Sequence, residues 1–100
     1  MEGYVYTLNN VNYDVTVSIA TYPNNGRKGI LLTLTTEEPF AAASVNIPEA
    51  ELAPDEVCIK TWGGNKGMLE FLIKNNIVQD TGRMVPTGFV QAPVCKLLIK

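Results

Sequence analysis

Between residues 11 and 22 the chain alternates in hydrophobicity with a period of two. Val11, Tyr13, Val15, Val17 and Ile19 share one parity, and Asn12, Asp14, Thr16 and Ser18 share the other. That is the period of a strand with one face on a core and one toward water. A shorter β-rich run, Glu2 to Leu8, precedes it, and Asn9-Asn10 supplies turn residues between the two. Asn25-Gly26, inside 23–28, is the strongest local turn signal in the chain and predicts a hairpin. The strand that follows, Gly29 to Thr36, places Ile30, Leu32 and Leu34 on one face, with Leu31 interrupting the other. Glu37-Glu38-Pro39 ends it. Phe40 to Ile47 reads as a further strand, because Val45 and Ile47 alternate and Pro48 closes the run, although Ala41-Ala42-Ala43 suits a helix on propensity. Consecutive antiparallel strands on short turns make a meander.

The second half changes character. Residues 48–54 form an acidic connector bounded by prolines, and Val57 to Lys60 is a brief strand. Met68, Leu69, Leu72 and Ile73 recur at helical spacing, with Phe71 at the border of the stripe. They predict a helix from Lys66 to Asn75 or Asn76, with Asn65 as its N-cap and Asn75-Asn76 as its end. Glu70 and Lys74 stand four apart on it, in the favourable order for a surface pair. From Ile77 onward Gly82, Pro86, Gly88 and Pro93 break the pattern, leaving Phe89-Val90 and Val94 to Ile99 as strand fragments. The expected fold is α+β: a single antiparallel sheet, a meander of three or more strands, covered by one main helix.

Size and composition narrow the class. One hundred residues, 46 % hydrophobic and 18 % charged, make one domain spanning 1–100 that is apolar enough for a core and too apolar for disorder. No stretch approaches the roughly 18 to 20 consecutive apolar residues that span a membrane. The amino end has neither the basic nor the apolar segment of a signal peptide, so the expected location is cytoplasmic. Charge is polarised along the chain. Residues 37–56 hold six acids and no base, whereas residues 57–100 hold six bases against Glu70 and Asp80. Such a molecule steers an oriented encounter with a charged partner, pairs its own halves, or simply wets its surface.

Catalytic and metal chemistry find little support in the residue types. There is no histidine, which removes imidazole acid–base catalysis and imidazole metal ligation. Cys58 and Cys95 match neither a redox CxxC nor a metal knuckle. Lys60 and Lys96 are near them in sequence, but adjacent strand residues point to opposite faces, so the two thiols are expected free, buried and inert. Glu49, Glu51, Asp55 and Glu56 lack the regular ligands and central glycine of a calcium loop. Trp62-Gly63-Gly64-Asn65-Lys66-Gly67 lacks the ending of a phosphate loop and the spacing of a dinucleotide fingerprint. No catalytic residue, metal or cofactor is therefore expected.

Two binding readings remain. The first is protein contact through Trp62 and the acids Glu49, Glu51, Asp55 and Glu56, since aromatic anchors dominate interfaces. The alternative is nucleic-acid association through Lys60, Lys66, Lys74, Arg83 and Lys96 of the basic half, with Lys100 and the aromatics Trp62 and Phe89 beside them.

Larger pieces of the chain carry a resemblance. Ser44-Val45-Asn46-Ile47, the run 67–76, Thr81-Gly82-Arg83, Thr87-Gly88-Phe89 and Pro93-Val94-Cys95-Lys96, in that order, resemble a family of small uncharacterised proteins of gut bacteria, their phages and their conjugative elements. With the Tyr13 strand and the Asn25-Gly26 turn, the likeness covers most of residues 11–98. Members tend to carry an aromatic after the proline, where this chain has Cys95. The resemblance implies no catalytic residues. It implies an accessory role in mobile-element or phage biology, including interference with a host defence protein.

Overall fold

A computed structural model describes residues 3–48 and 50–99. The meander is present. Strands β1 (Gly3–Leu8), β2 (Val11–Thr21), β3 (Lys28–Leu34) and β4 (Pro39–Ala42) pair antiparallel in the order β1-β2-β3-β4. Asn9 and Asn10 both take positive φ, 51° and 64°, and form the two-residue turn whose twist matches the strands it joins. At the next turn Gly26 has φ 70°, its N–H donates to the Tyr22 carbonyl, and the Tyr22 N–H donates to that of Arg27. Tyr6, Val15, Val17, Ile30 and Leu32 bury the inner face as their parity requires; Val11, beside the turn, is exposed.

The expectation of a single sheet is corrected. A second antiparallel sheet is built from β5 (Ser44–Val45), β6 (Glu56–Ile59), β7 (Val78–Thr87) and β8 (Val90–Leu97), in the order β5-β6-β8-β7. The run from Phe40 to Ile47 is not one strand but two, and the chain changes sheets at Ala43. The Ala43 N–H donates to Ile30 of β3, while its carbonyl accepts from Lys60, just after β6, each at 2.9 Å. One residue thus links the two sheets through its main chain. Buried Ser44 completes the crossing, because its Oγ accepts the Ile30 N–H at 2.8 Å and lies 3.3 Å from the Tyr22 hydroxyl. Small side chains at 41–44 allow this close passage.

The tail is also corrected. Instead of fragments, β7 and β8 form a long hairpin, and each supposed breaker has a place in it. Gly82, at φ 83°, lies in the bulge between Asp80 and Arg83. Pro86 sits on the edge strand β7, where no further ladder bond is required of it. Gly88, at φ 63°, opens the two-residue turn Gly88-Phe89. Pro93 lies one residue beyond Val94, the last β8 residue paired with β6.

Helix α1 (Met68–Lys74) closes one end of the space between the sheets. Phe71 meets Tyr6 and Tyr4 edge-on at 5.1 and 6.2 Å, and the Tyr6 hydroxyl donates to the Lys66 carbonyl at 2.6 Å. The predicted N-cap is not Asn65. Gly67 holds that position at φ 80° with no side-chain cap, so the helix starts two residues later than expected. Asn65 is buried and its amide turns inward, donating to Ala42 and Lys60. The predicted stop holds: Asn76 is left-handed, its N–H reaches Ile73, and the Ile77 N–H reaches Leu72, which is a Schellman end sealed by buried Ile77.

Candidate functional site

The second sheet is covered on both faces at β6 and the adjoining part of β8. Val57, Ile59, Val78 and Cys95 join the first sheet and α1 in one core, whereas Cys58, Ala92 and Val94 face a separate cluster with Ile47 and Ala50. The connector between β5 and β6, in its described residues 46–48 and 50–55, is therefore a lid over the outer face of β6 and β8. Its apolar residues Ile47, Ala50 and Leu52 point in, and two arginines grip its main chain from opposite sides. Arg27, in the β2–β3 turn, donates to the carbonyls of Ile47 (2.7 Å) and Ala50. Arg83, on β7, donates to the Glu51 carbonyl (2.7 Å) and to Glu56 Oε1 (3.1 Å).

This arrangement accounts for much of the charge polarity. Glu56 accepts from Arg83 and from the Ala53 N–H, and Asp55 lies 3.9 Å from Lys96. The acidic segment thus meets two bases of the carboxy-terminal half within its own fold. Glu51 is exposed, and Glu49 lies outside the described residues. Trp62 is half-buried and packs against the second cluster. Lys66 and Lys74 are exposed at the two ends of α1, and Lys60 is half-buried with its N–H bonded to Ala43. The structure brings Arg83 and Lys96 to acids rather than to one another.

The thiols lie in apolar surroundings. Burial, reinforced by Asp80 and Cys58, pushes the Cys95 thiol up to about 12. Burial also raises Cys58, against the opposing pull of Arg27 and Arg83. Neither is poised as a thiolate nucleophile. Among the described residues no three acidic, histidine or cysteine side chains gather as metal ligands, and no helix is long and apolar enough to cross a membrane.

The most conspicuous surface feature is one the sequence pattern understated. At the tip of the β7–β8 hairpin Phe89 stands wholly in solvent. The stripe Val94, Ala92, Val90 runs from the second cluster toward it, passing from fully buried to 38 % exposed at Val90. Beside this stripe a cleft of about 500 Å³ separates the connector (Ile47, Ala50) from the hairpin stem (Val85, Pro86, Thr87, Gly88). The signal for it was Gly88-Phe89 itself, since glycine at the first position of a two-residue loop marks a type II′ hairpin. Phe89, expected in a strand fragment, lies in the turn.

Comparison with protein-family models, with curated proteins and with solved structures finds no match to this chain.

Proposed function

We propose that the protein is a small accessory domain acting by protein–protein contact, with the tip of the β7–β8 hairpin as its leading contact. The observation that carries this reading is Phe89, a large aromatic displayed on a two-residue turn next to an apolar cleft. Single exposed apolar residues are ordinary. This one stands at the tip of a hairpin whose stem carries the stripe Val94, Ala92, Val90 outward from a core, so a partner that covers the tip also reaches the exposed end of that stripe at Val90. A tight turn also loses little freedom on binding, which favours such an anchor energetically. Trp62, which packs against the second cluster, supports an extension of the contact along that side of the sheet. The resemblance to mobile-element proteins supplies the setting in which the partner is sought, a host factor of the cell that carries the element.

The test is an affinity capture from host-cell lysate, with and without nuclease, using the wild-type chain and Phe89→Ser. The expected result is a stoichiometric protein that survives nuclease and is lost with Phe89→Ser. Recovery abolished by nuclease transfers the reading to Lys60, Lys66, Lys74, Arg83 and Lys96 and a nucleic-acid partner. Capture indifferent to Phe89→Ser removes the hairpin tip from the contact.

A further inference from the structure

Strand β1 is an edge of the first sheet, with no strand on its outward side among the described residues. Leu8 and Val11 close a two-residue turn, so they form a pair that exchanges both hydrogen bonds. Tyr6 with Tyr13 and Tyr4 with Val15 follow in the same phase. The bond from the Thr35 N–H to the Asp14 carbonyl fixes the alternation from the other side of β2, because Asp14 points to β3. The N–H and C=O groups of Gly3, Val5 and Thr7 therefore point away from the sheet, and all three residues are exposed.

These residues and Tyr4 form one wall of a groove of about 420 Å³. The other wall is α1, through Gly67, Glu70, Phe71 and Lys74, a single helical stripe, with Asn75 at its end. One wall thus offers the outward backbone donors and acceptors of Gly3, Val5 and Thr7, which no other described residue pairs, and the other offers a row of side chains. The remaining sheet edges among the described residues are defended against strand addition. Edge strand β7 carries Asp80, Arg83, a bulge and Pro86; β4 is four residues long with Pro39 and a register shift; β5 has two residues. Charge, proline, bulges and shortness are the usual protections of an edge. Gly3-Tyr4-Val5-Tyr6-Thr7-Leu8 has none of them.

We propose that this groove binds an extended segment of a partner protein, which adds to the β1 edge as a fifth strand of the first sheet. The helix wall specifies its chemistry. Glu70 and Lys74 are four residues apart, a rise of about 6 Å. Side chains on one face of a strand repeat about every 6.6 Å. A segment with a base opposite Glu70 and an acid two positions away opposite Lys74 therefore matches both charges, with uncharged β-prone residues elsewhere. A second copy of the chain fits poorly. Antiparallel pairing of β1 with itself about a two-fold axis sets both α1 helices on the same face, wall against wall, where the alternating side chains of an incoming strand belong.

The probe is a displayed library of random linear peptides selected on the full chain, followed by synthesis of an enriched peptide. Enriched sequences are expected to alternate and to carry an acid and a base two positions apart. The peptide slows amide exchange at Gly3, Val5 and Thr7. Methylating the peptide amides that face β1 weakens binding about tenfold or more, as loss of main-chain hydrogen bonds requires. Val5→Pro, which deletes an outward N–H, does the same. If Val5→Pro fails to fold, the methylated peptides decide, since they leave the chain unchanged. Exchanging the charges in Glu70→Lys/Lys74→Glu weakens the peptide, and exchanging its own acid and base restores it. No enrichment, protection elsewhere than the three amides, or indifference to methylation overturns the proposal. Concentration-dependent protection of those amides without peptide assigns the edge to a second copy and overturns it as well. The hairpin contact is independent: Phe89→Ser leaves peptide binding unchanged, so failure at either surface is distinguishable from failure at the other.

Discussion

Cys58 and Cys95 stand on neighbouring strands of one sheet and on its opposite faces. Cys95 pairs with Val57 and Cys58 with Val94, an offset of one residue that sends one sulfur into each of the two clusters. Side chains on opposite faces of a sheet cannot meet the geometry of a disulfide without backbone movement. Both thiols are free and buried.

The folded chain should resist thiol chemistry at neutral pH. A small alkylating reagent is expected to leave both cysteines unmodified and to label both in denaturant, as read by intact mass. Mild oxidation should leave the folded monomer without an internal bridge. Rapid native labelling of either thiol, or a bridge formed without unfolding, would contradict the placement of the two strands.

The same burial gives a pH dependence with a definite sign. A thiol with an ordinary value of 9.0 that is raised to about 12 in the folded state keeps its proton longer when folded than when unfolded. Stability from Cys95 is then fully present below about pH 9 and is lost as pH rises toward 12, at up to about 1.4 kcal/mol per pH unit. Cys58, and Tyr6 with its hydroxyl raised by burial and by Glu70, act in the same direction. Urea midpoints measured in steps across this range should fall, and should fall less steeply for Cys95→Ala. Parallel curves for the two chains would show that Cys95 does not titrate as its surroundings require.

The meander was legible because β2 alternates cleanly, β3 does so but for Leu31, and their turns are made by Asn9-Asn10 and Asn25-Gly26, where Asn9, Asn10 and Gly26 take positive φ. The change of sheet at Ala43 was not, because the tripeptide 41–43 has no side chains whose periodicity could register it. The β7–β8 hairpin was hidden for another reason. Glycine and proline interrupt a hydrophobic period, whereas in this two-stranded stem they mark a bulge, an edge and a turn. Asn65 was misassigned because asparagine is a good N-cap in general, and nothing local reveals that its amide has two carbonyls to serve inside. Of the contact residues, the acids were visible as a charge run. That Arg83 and Lys96 would come to meet Glu56 and Asp55 depended on long-range pairing.

Asn65 offers a sharp test of that inward role. Its Nδ2 donates to the Ala42 carbonyl at 2.7 Å and to the Lys60 carbonyl at 3.0 Å, tying the end of β4 to the residue after β6. Asn65→Ala removes both bonds and should cost about 1–3 kcal/mol in urea unfolding. Asn65→Asp keeps the shape but sets a carboxylate against two carbonyls, so it should cost more at neutral pH. The folded state then raises the carboxyl above its ordinary value of about 3.9, and the deficit should shrink as pH falls toward 4. A deficit that is equal at both pH values would mean that the side chain does not face those carbonyls.

Arg27 holds the lid, and its loss should open one face of the second sheet without unfolding the other. Its guanidinium serves the Ile47 and Ala50 carbonyls together, while Asn25 reaches Asn46 at 3.0 Å beside it. Bidentate, charged bonds of this kind are worth about 1.5–3 kcal/mol each. Arg27→Ala should therefore release Ile47 and Ala50 and let water reach Cys58, which lies with them in the second cluster. Cys95, in the first core, should stay protected. Arg27→Lys should fall between, because an ammonium is a poorer match for two separated carbonyls. Arg83→Gln should cost only about 0–1 kcal/mol, since the Arg83 side chain is half exposed to water. Site-resolved alkylation checks all three variants. Selective labelling of Cys58 in Arg27→Ala identifies the connector as a lid held chiefly by Arg27. Equal labelling of both cysteines would instead mean that Arg27 supports the whole fold, and that the two faces of the sheet do not open separately.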